Sequence, residues 1–185
     1  MRLILASASP QRTAILARLG IPHEVAPPGV PELSAGEPLE VASENARRKA
    51  LAGLEAHPGA LVLGADTVVA LGDAILGKPA DAGVARTWLT RLSGHTHHVV
   101  GGLCLADASG LRERACTTAV TFRALDAAAI DAYVATGEWR GRAGAYAIQG
   151  RGGDLVAVLQ GDRDNVVGLC VPALRALAPE LLNRP

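Results

Sequence analysis

The chain has 185 residues, 49% of them hydrophobic, and its 18 basic and 18 acidic side chains cancel. That length and apolar content suit one domain with its own core. Balanced charge argues against a general nucleic-acid or membrane-surface binder, which would carry a basic excess or stripe, so any charge-driven recognition must be local.

No apolar run approaches the roughly 18 residues of a membrane span, and Met1–Ala6 is too short for a signal peptide. A cytoplasmic protein is expected. Cys104, Cys116 and Cys170 are isolated in apolar or β-branched surroundings with no CxxC pair. Buried thiols in a reducing compartment, and no structural disulfide, follow as the expectation.

In chain order, Leu3–Ala6 reads as a strand. Ser9 is a good N-cap and Pro10 suits a first helical turn, which predicts a helix from there to Gly20. A second helix is expected over Val41 to about Glu55. The run Ala60–Leu71 then forms an apolar strand interrupted by Asp66 and Thr67, and Gly72-Asp73 suggests a hairpin to Ala74–Leu76. Asp81–Leu92 reads as helix, stopped by Ser93-Gly94. Two longer strands fill His97–Phe122 and turn near Asp107–Gly110. Asp126 caps a helix to Thr136, Gly137 stops it, and a last helix occupies much of Val171–Leu182. Strands alternating with helices, without a linker or repeat, define a single α/β domain with a mixed sheet.

Asp66 is the conspicuous residue. Burying an ionised carboxylate costs several kcal/mol unless a cation, a metal or hydrogen-bond donors meet it. It therefore belongs to a functional site or caps a turn, and Gly64 just before it would allow close approach of a ligand or another backbone.

Three tempting motifs fail on their own chemistry. Gly72–Lys78 matches the first seven positions of a P-loop, but Pro79 supplies no hydroxyl and Ala74–Leu76 reads as strand, not helix. His97 and His98 point to opposite faces of a strand, so with His95 at most two could share a metal. Gly150–Gly153 lacks the spacing of a dinucleotide fingerprint and is expected to be a flexible turn.

What remains is a scattered set of anion-binding elements. Ser7, Ser9 and the amides around Pro10 sit where a strand enters a helix N-terminus, with Arg12 in the first turn. Lys49 lies on a helical segment in which Glu44 and Arg48 can pair at i, i+4, and Gly77 and Pro79 flank Lys78 in a loop. Read singly, each is also consistent with capping or a solvated cation.

Together they match a family. Leu5–Arg12, Ala46–Ala50, Gly64–Val68, Gly77–Pro79, Leu92–Gly94, Ala143–Gly150 and Asn165–Leu169 occur in the order of the Maf nucleoside triphosphate pyrophosphatases, which the chain resembles from residue 3 to about residue 175. The resemblance implies an inosine-triphosphatase-like fold: an elongated mixed β-sheet flanked by helices, with two lobes and a central cleft. It also implies a homodimer, a divalent metal (magnesium, or manganese or cobalt) and hydrolysis of a nucleoside triphosphate to the monophosphate and pyrophosphate.

Carried over position by position, Asp66 corresponds to the family's proton acceptor, and Ser7, Arg12, Lys49 and Lys78 to its phosphate-binding residues. Glu32 corresponds to an acidic position near the metal. Thr67 and Gln149 agree with the subgroup acting on dTTP and UTP. Gln11 stands where that subgroup usually has an arginine, replacing a donor-only cation by an amide that also accepts. Arg142 stands for a usual lysine, and Cys170 for a usual proline. The alternative reading is a nucleotide-binding regulator of septum formation with residual catalysis.

Overall fold

A computed structural model describes residues 2–182. Its framework is a seven-stranded mixed sheet. Strand β1 (Leu3–Leu5) runs parallel to β2 (His23–Val25) on one side and to β3 (Leu61–Leu71) on the other. Beyond β3 the sheet continues antiparallel through β5 (Thr96–Asp107), β6 (Gly110–Phe122) and β7 (Val156–Gln160), and the short β4 (Ala74–Ile75) pairs back onto the end of β3.

The long strands carry two separate cores on one face. Successive side chains alternate across a strand, so Leu63 and Ala65 share a face of β3 with Thr67 and Val69. Leu63 and Ala65 join Leu103, Leu105, Ile15 and Leu174 in one cluster, whereas Val69 joins Val99, Leu89, Ile130 and Phe122 in another. Thr67 and its cross-strand partner Gly101 fall between them. A Cβ on Gly101 would lie 2.0 Å from Asn165 Oδ1, so this gap is filled by a polar side chain instead of a third apolar layer. The two clusters are the two expected lobes, and the polar waist between them is where the cleft opens.

The first cluster is closed by α1 (Pro10–Arg18), α6 (Val171–Leu177) and α7 (Pro179–Leu182), the second by α3 (Ala82–Leu92) and α4 (Ala127–Ala135). On the opposite face of the sheet lies α2 (Pro38–Ala56), whose buried stripe is Val41, Ala42, Asn45, Ala46, Lys49, Ala50 and Gly53. Small residues on that stripe meet glycines on the strands. A Cβ on Gly64 would fall 2.1 Å from the Ala46 carbonyl oxygen, and one on Gly102 would fall 2.2 Å from that of Ala42. The helix backbone therefore rests directly on β3 and β5.

Most boundaries agree with the sequence reading, including Ser9 capping α1, Asp81 capping α3 and Asp126 capping α4. Helix α2 starts earlier than expected, at Pro38, because the Glu37 carboxylate accepts from the backbone N–H groups of Leu39 and Glu40. The last helix is two, separated at Ala178, which leaves the helical region just before Pro179. Strands β2 and β7 and helix α5 (Arg163–Val167) are additions, each only three to five residues long and without a legible apolar period. The Gly150–Gly153 segment forms a 3₁₀ turn (Arg151–Leu155) in which a Cβ on Gly152 would lie 2.5 Å from the Ala147 carbonyl oxygen. The sheet and its helices bear out the mixed α/β class.

The cysteine expectation is corrected. Cys116 of β6 and Cys170 at the head of α6 form a disulfide, with Cα atoms 6.7 Å apart across 54 residues of sequence. Strand pairing brings them together, and their spacing in the chain gave no sign of it. Cys104 is a buried free thiol, pushed up to about 12 by burial and then by the Glu113 charge.

Packing and the disulfide set three stability outcomes. Gly64→Ala lowers the unfolding free energy by about 1–3 kcal/mol in urea titrations. Gly77→Ala, where the added methyl meets nothing within 4 Å, changes it by less than about 0.5 kcal/mol. Reduction by dithiothreitol, or Cys170→Ser, lowers stability by roughly 2–4 kcal/mol, the loss expected when a loop of this length is released.

Candidate active site

Asp66 sits near the middle of β3, directly opposite Gly102, and points toward α2. Because α2 lies close at Gly64 and Gly102, its residues Asn45 and Lys49, one turn apart, are carried over the carboxylate. Lys49 Nζ donates to Asp66 Oδ1 at 2.7 Å, and Asn45 Nδ2 donates to Asp66 Oδ2 at 2.9 Å. Lys49 Nζ also lies 2.5 Å from Glu32 Oε1. The side chains of Lys49 and Asp66 are 9% and 11% exposed, whereas Glu32 is 45% exposed at the cleft margin. Each buried charge is thus met by opposite charge or a donor, which is the condition for keeping it ionised away from water.

On the other face of β3, Thr67 meets Arg12. The buried Arg12 guanidinium donates from Nη1 to Ser7 Oγ (2.7 Å), from Nη2 to Thr67 Oγ1 (3.1 Å) and from Nε to the Gly168 carbonyl oxygen (2.8 Å). Burial pulls the Arg12 pKa down, while the charges of Asp66 and Glu32 oppose that shift. Arg12 ties the start of α1, the middle of β3 and the turn after α5 to one another.

These groups line one cleft of about 670 Å³ at the waist between the lobes. Ser7, Gln11, Arg12, Glu32, Lys49, Asp66, Thr67 and Lys78 all border it. Gln149 does not: it is exposed beyond the buried Tyr146–Ile148 segment, whose Ala147 N–H donates to Tyr133 Oη at 3.0 Å and whose Ile148 carbonyl accepts from Arg163 at 2.9 Å. Gln11 Oε1 accepts from Ser9 Oγ at 3.2 Å on the cleft rim.

Sequence reasoning missed Asn45 as a site residue and treated Arg142 only as a departure, yet both line the cleft. The signal for Asn45 was its i, i+4 spacing to Lys49 on the α2 face that packs on the sheet. Four cationic side chains, Arg12, Lys49, Lys78 and Arg142, border the cleft against two carboxylates, Glu32 and Asp66. In a chain with no net charge, this local excess suits a polyanionic ligand.

His97 and His98 point to opposite faces of β5, as their alternation on a strand requires. His97 is fully buried, with Nε2 2.9 Å from Tyr146 Oη and its ring edge-on to Phe122, while His98 faces solvent. No grouping of three or more His, Cys, Asp or Glu able to hold a metal occurs among the described residues, and none of their helices is long and apolar enough to cross a membrane.

Fold and site define an α/β protein whose two lobes enclose a cationic cleft around one buried, donor-held carboxylate. Comparison with known proteins places it further: the Maf-like protein family matches residues 2–181, and the chain belongs to that family. A dTTP/UTP pyrophosphatase of Rhodospirillum rubrum is 46% identical over 99% of this chain and 89% of its own length. One from Myxococcus xanthus is 50% identical over 90% of this chain and 86% of its own, and one from Thermococcus gammatolerans 43% identical over 98% and 100%. Among solved structures, the Staphylococcus aureus Ham1 protein is a partial likeness, with a TM-score of 0.49 and 13% identity over 66% of this chain and 72% of that one.

Burial holds the His97 pKa well below its ordinary 6.5, at about 4. Between those values the unfolded chain binds the proton and the folded one does not, so stability falls as pH drops through the window. Denaturant titrations at pH 7 and pH 4 should show a loss of about 3 kcal/mol from this group, and His97→Gln should remove that part of the pH dependence.

Proposed function

We propose that the cleft hydrolyses nucleoside triphosphates, with dTTP and UTP as preferred substrates, to the monophosphate and pyrophosphate. The observation that carries the reading is Asp66: a single carboxylate held by Lys49 and Asn45 at the base of a cleft with excess positive charge. The named activity of the family relatives agrees with it.

In this mechanism the triphosphate enters along Arg12, Lys49, Lys78 and Arg142, which offset its charge and the charge that moves onto the departing pyrophosphate. Water attacks the α-phosphorus, its proton passes to Asp66, and the bond from that phosphorus to the α,β-bridging oxygen breaks with its electron pair leaving on pyrophosphate. Lys49 stands between Glu32 and Asp66, so a phosphate oxygen competes with both carboxylates for its ammonium. Release of Lys49 toward the ligand leaves Asp66 Oδ1 free to accept a proton.

A divalent cation fits this donor set. Magnesium is commonly held by one or two carboxylates together with substrate phosphate oxygens, and Glu32, 45% exposed at the cleft margin, is the carboxylate that would hold it once Lys49 turns to the phosphates. Bound there, it would neutralise phosphate charge. Thr67 and Gln11, on the cleft border, are proposed to bear on base choice, with Gln149 as a third contributor from outside the cleft in this conformation. Homodimerisation belongs to the proposal on the family resemblance, and the cytoplasmic setting on the sequence expectation alone.

Asp66→Asn should reduce turnover on the order of 10²-fold or more while nucleotide affinity, measured by calorimetry, stays within a few fold. Unchanged turnover contradicts the role given to Asp66. Across ordinary and modified triphosphates, dTTP and UTP should release pyrophosphate fastest, and Gln11→Arg should alter that ranking. A flat profile contradicts the substrate assignment, and an identical profile in the variant removes Gln11 from base choice.

A further inference from the structure

Asn45 is 2% exposed and every polar atom of its side chain is engaged. Its Oδ1 accepts from the Leu33 backbone N–H at 2.7 Å, and its Nδ2 donates both to the Leu33 carbonyl oxygen at 3.0 Å and to Asp66 Oδ2 at 2.9 Å. One amide therefore clamps both main-chain groups of Leu33 and the carboxylate in the middle of β3. Leu33 belongs to a loop between β2 and α2 that lines the cleft from Pro27 to Ser34, and the residue before it is Glu32, whose carboxylate reaches Lys49.

We propose that Asn45 is a positioning residue that sets the Glu32 loop and the Asp66 carboxylate in register with each other. Both carboxylates reach Lys49 Nζ, and that meeting requires the Glu32 loop to be held in place. Glu32 lies on a segment with no secondary structure, 37% of the Leu33 surface is exposed, and Pro27, Pro28 and Pro31 deprive the loop of three backbone donors. The paired hydrogen bonds to Leu33 mimic those of a strand partner and fix the loop to α2, the same helix that supplies Lys49. The third bond occupies Asp66 Oδ2 and turns Oδ1 toward Lys49 and the cleft. An aspartate of the same shape would keep the bond from the Leu33 N–H and lose both donations, placing a second negative charge against Asp66. Alanine would lose all three bonds.

This inference rests on the proposed hydrolysis for its kinetic consequence but not for its structural one, so the two can fail separately. In the wild-type protein, amide hydrogen exchange followed by NMR should find the Leu33 N–H protected relative to Val30 of the same loop, and Asn45→Ala should abolish that protection while α2 amides remain slow. With dTTP and magnesium, Asn45→Ala and Asn45→Asp should lower kcat on the order of 10²-fold, the scale of a misplaced catalytic group, with KM changed much less and half-saturation by magnesium shifted upward. In a Glu32→Gln background the further effect of Asn45→Ala should shrink to a few fold, because the two changes disturb one constellation.

An unprotected Leu33 amide, or an Asn45→Ala loss equal in both backgrounds, overturns the positioning role whatever the activity. Absence of pyrophosphate release from the wild type with Leu33 still protected overturns the hydrolysis reading and leaves the clamp standing. Should Asn45→Ala unfold, Asn45→Asp, close to it in shape, gives the kinetic result, and the wild-type exchange measurement needs no variant.

Discussion

The site depends on the contact between Lys49 and Asp66, and that contact depends on how closely a helix can lie on a sheet. An ammonium and a carboxylate that are each about nine-tenths buried hold their charges only if they meet. They meet because Gly64 and Gly102 let the backbone of α2 rest against β3 and β5, and because Ala42, Ala46 and Ala50 keep that face of the helix thin. A larger residue at either glycine would lift Lys49 and Asn45 away from Asp66 together. Helix packing and the chemistry of the cleft are consequences of the same short list of small residues.

The second constraint is the polar waist of the sheet. Apolar clusters at both ends of β3, β5 and β6 stabilise two lobes, and the strip between them is held by directional bonds. Asn165 donates to the Val99 carbonyl oxygen at 2.9 Å and to Thr118 Oγ1 at 3.1 Å, while Arg12 spans from Ser7 to Thr67 and Gly168. Such groups order backbone and side chains without filling the space that a ligand needs. The disulfide between Cys116 and Cys170 adds a covalent link two residues from Gly168, so the turn that receives Arg12 is anchored to β6 as well.

The legible parts of the sequence were those with a local cause. Asp66 stood out because a charge inside an apolar run demands an explanation, and Ser9, Asp81 and Asp126 stood out because capping is decided within a turn. Resemblance to a family supplied Glu32, Lys49 and Lys78, which as single residues look like any solvated charge. Asn45 was hidden in a polar helical stretch between Glu44 and Arg48, two residues that do pair on the surface at 2.8 Å. Its importance comes from the face of α2 that packs on the sheet. Gly102 could not be read as the partner of Asp66 because register is a property of two strands, and Cys116 and Cys170 were separated by the same kind of distance in sequence. Gln149 shows the opposite limit: a motif position agreed with a subgroup, but the packing of Ala147 and Ile148 leaves its side chain outside the cleft.

The central claim is the bond that breaks. Following dTTP and magnesium with the wild-type protein by phosphorus NMR tests it most directly, since each possible product has its own resonance. The account predicts that dTMP and pyrophosphate appear in equal amounts as dTTP disappears, with no dTDP accumulating. Formation of dTDP with orthophosphate, or an unchanged dTTP spectrum, would contradict it.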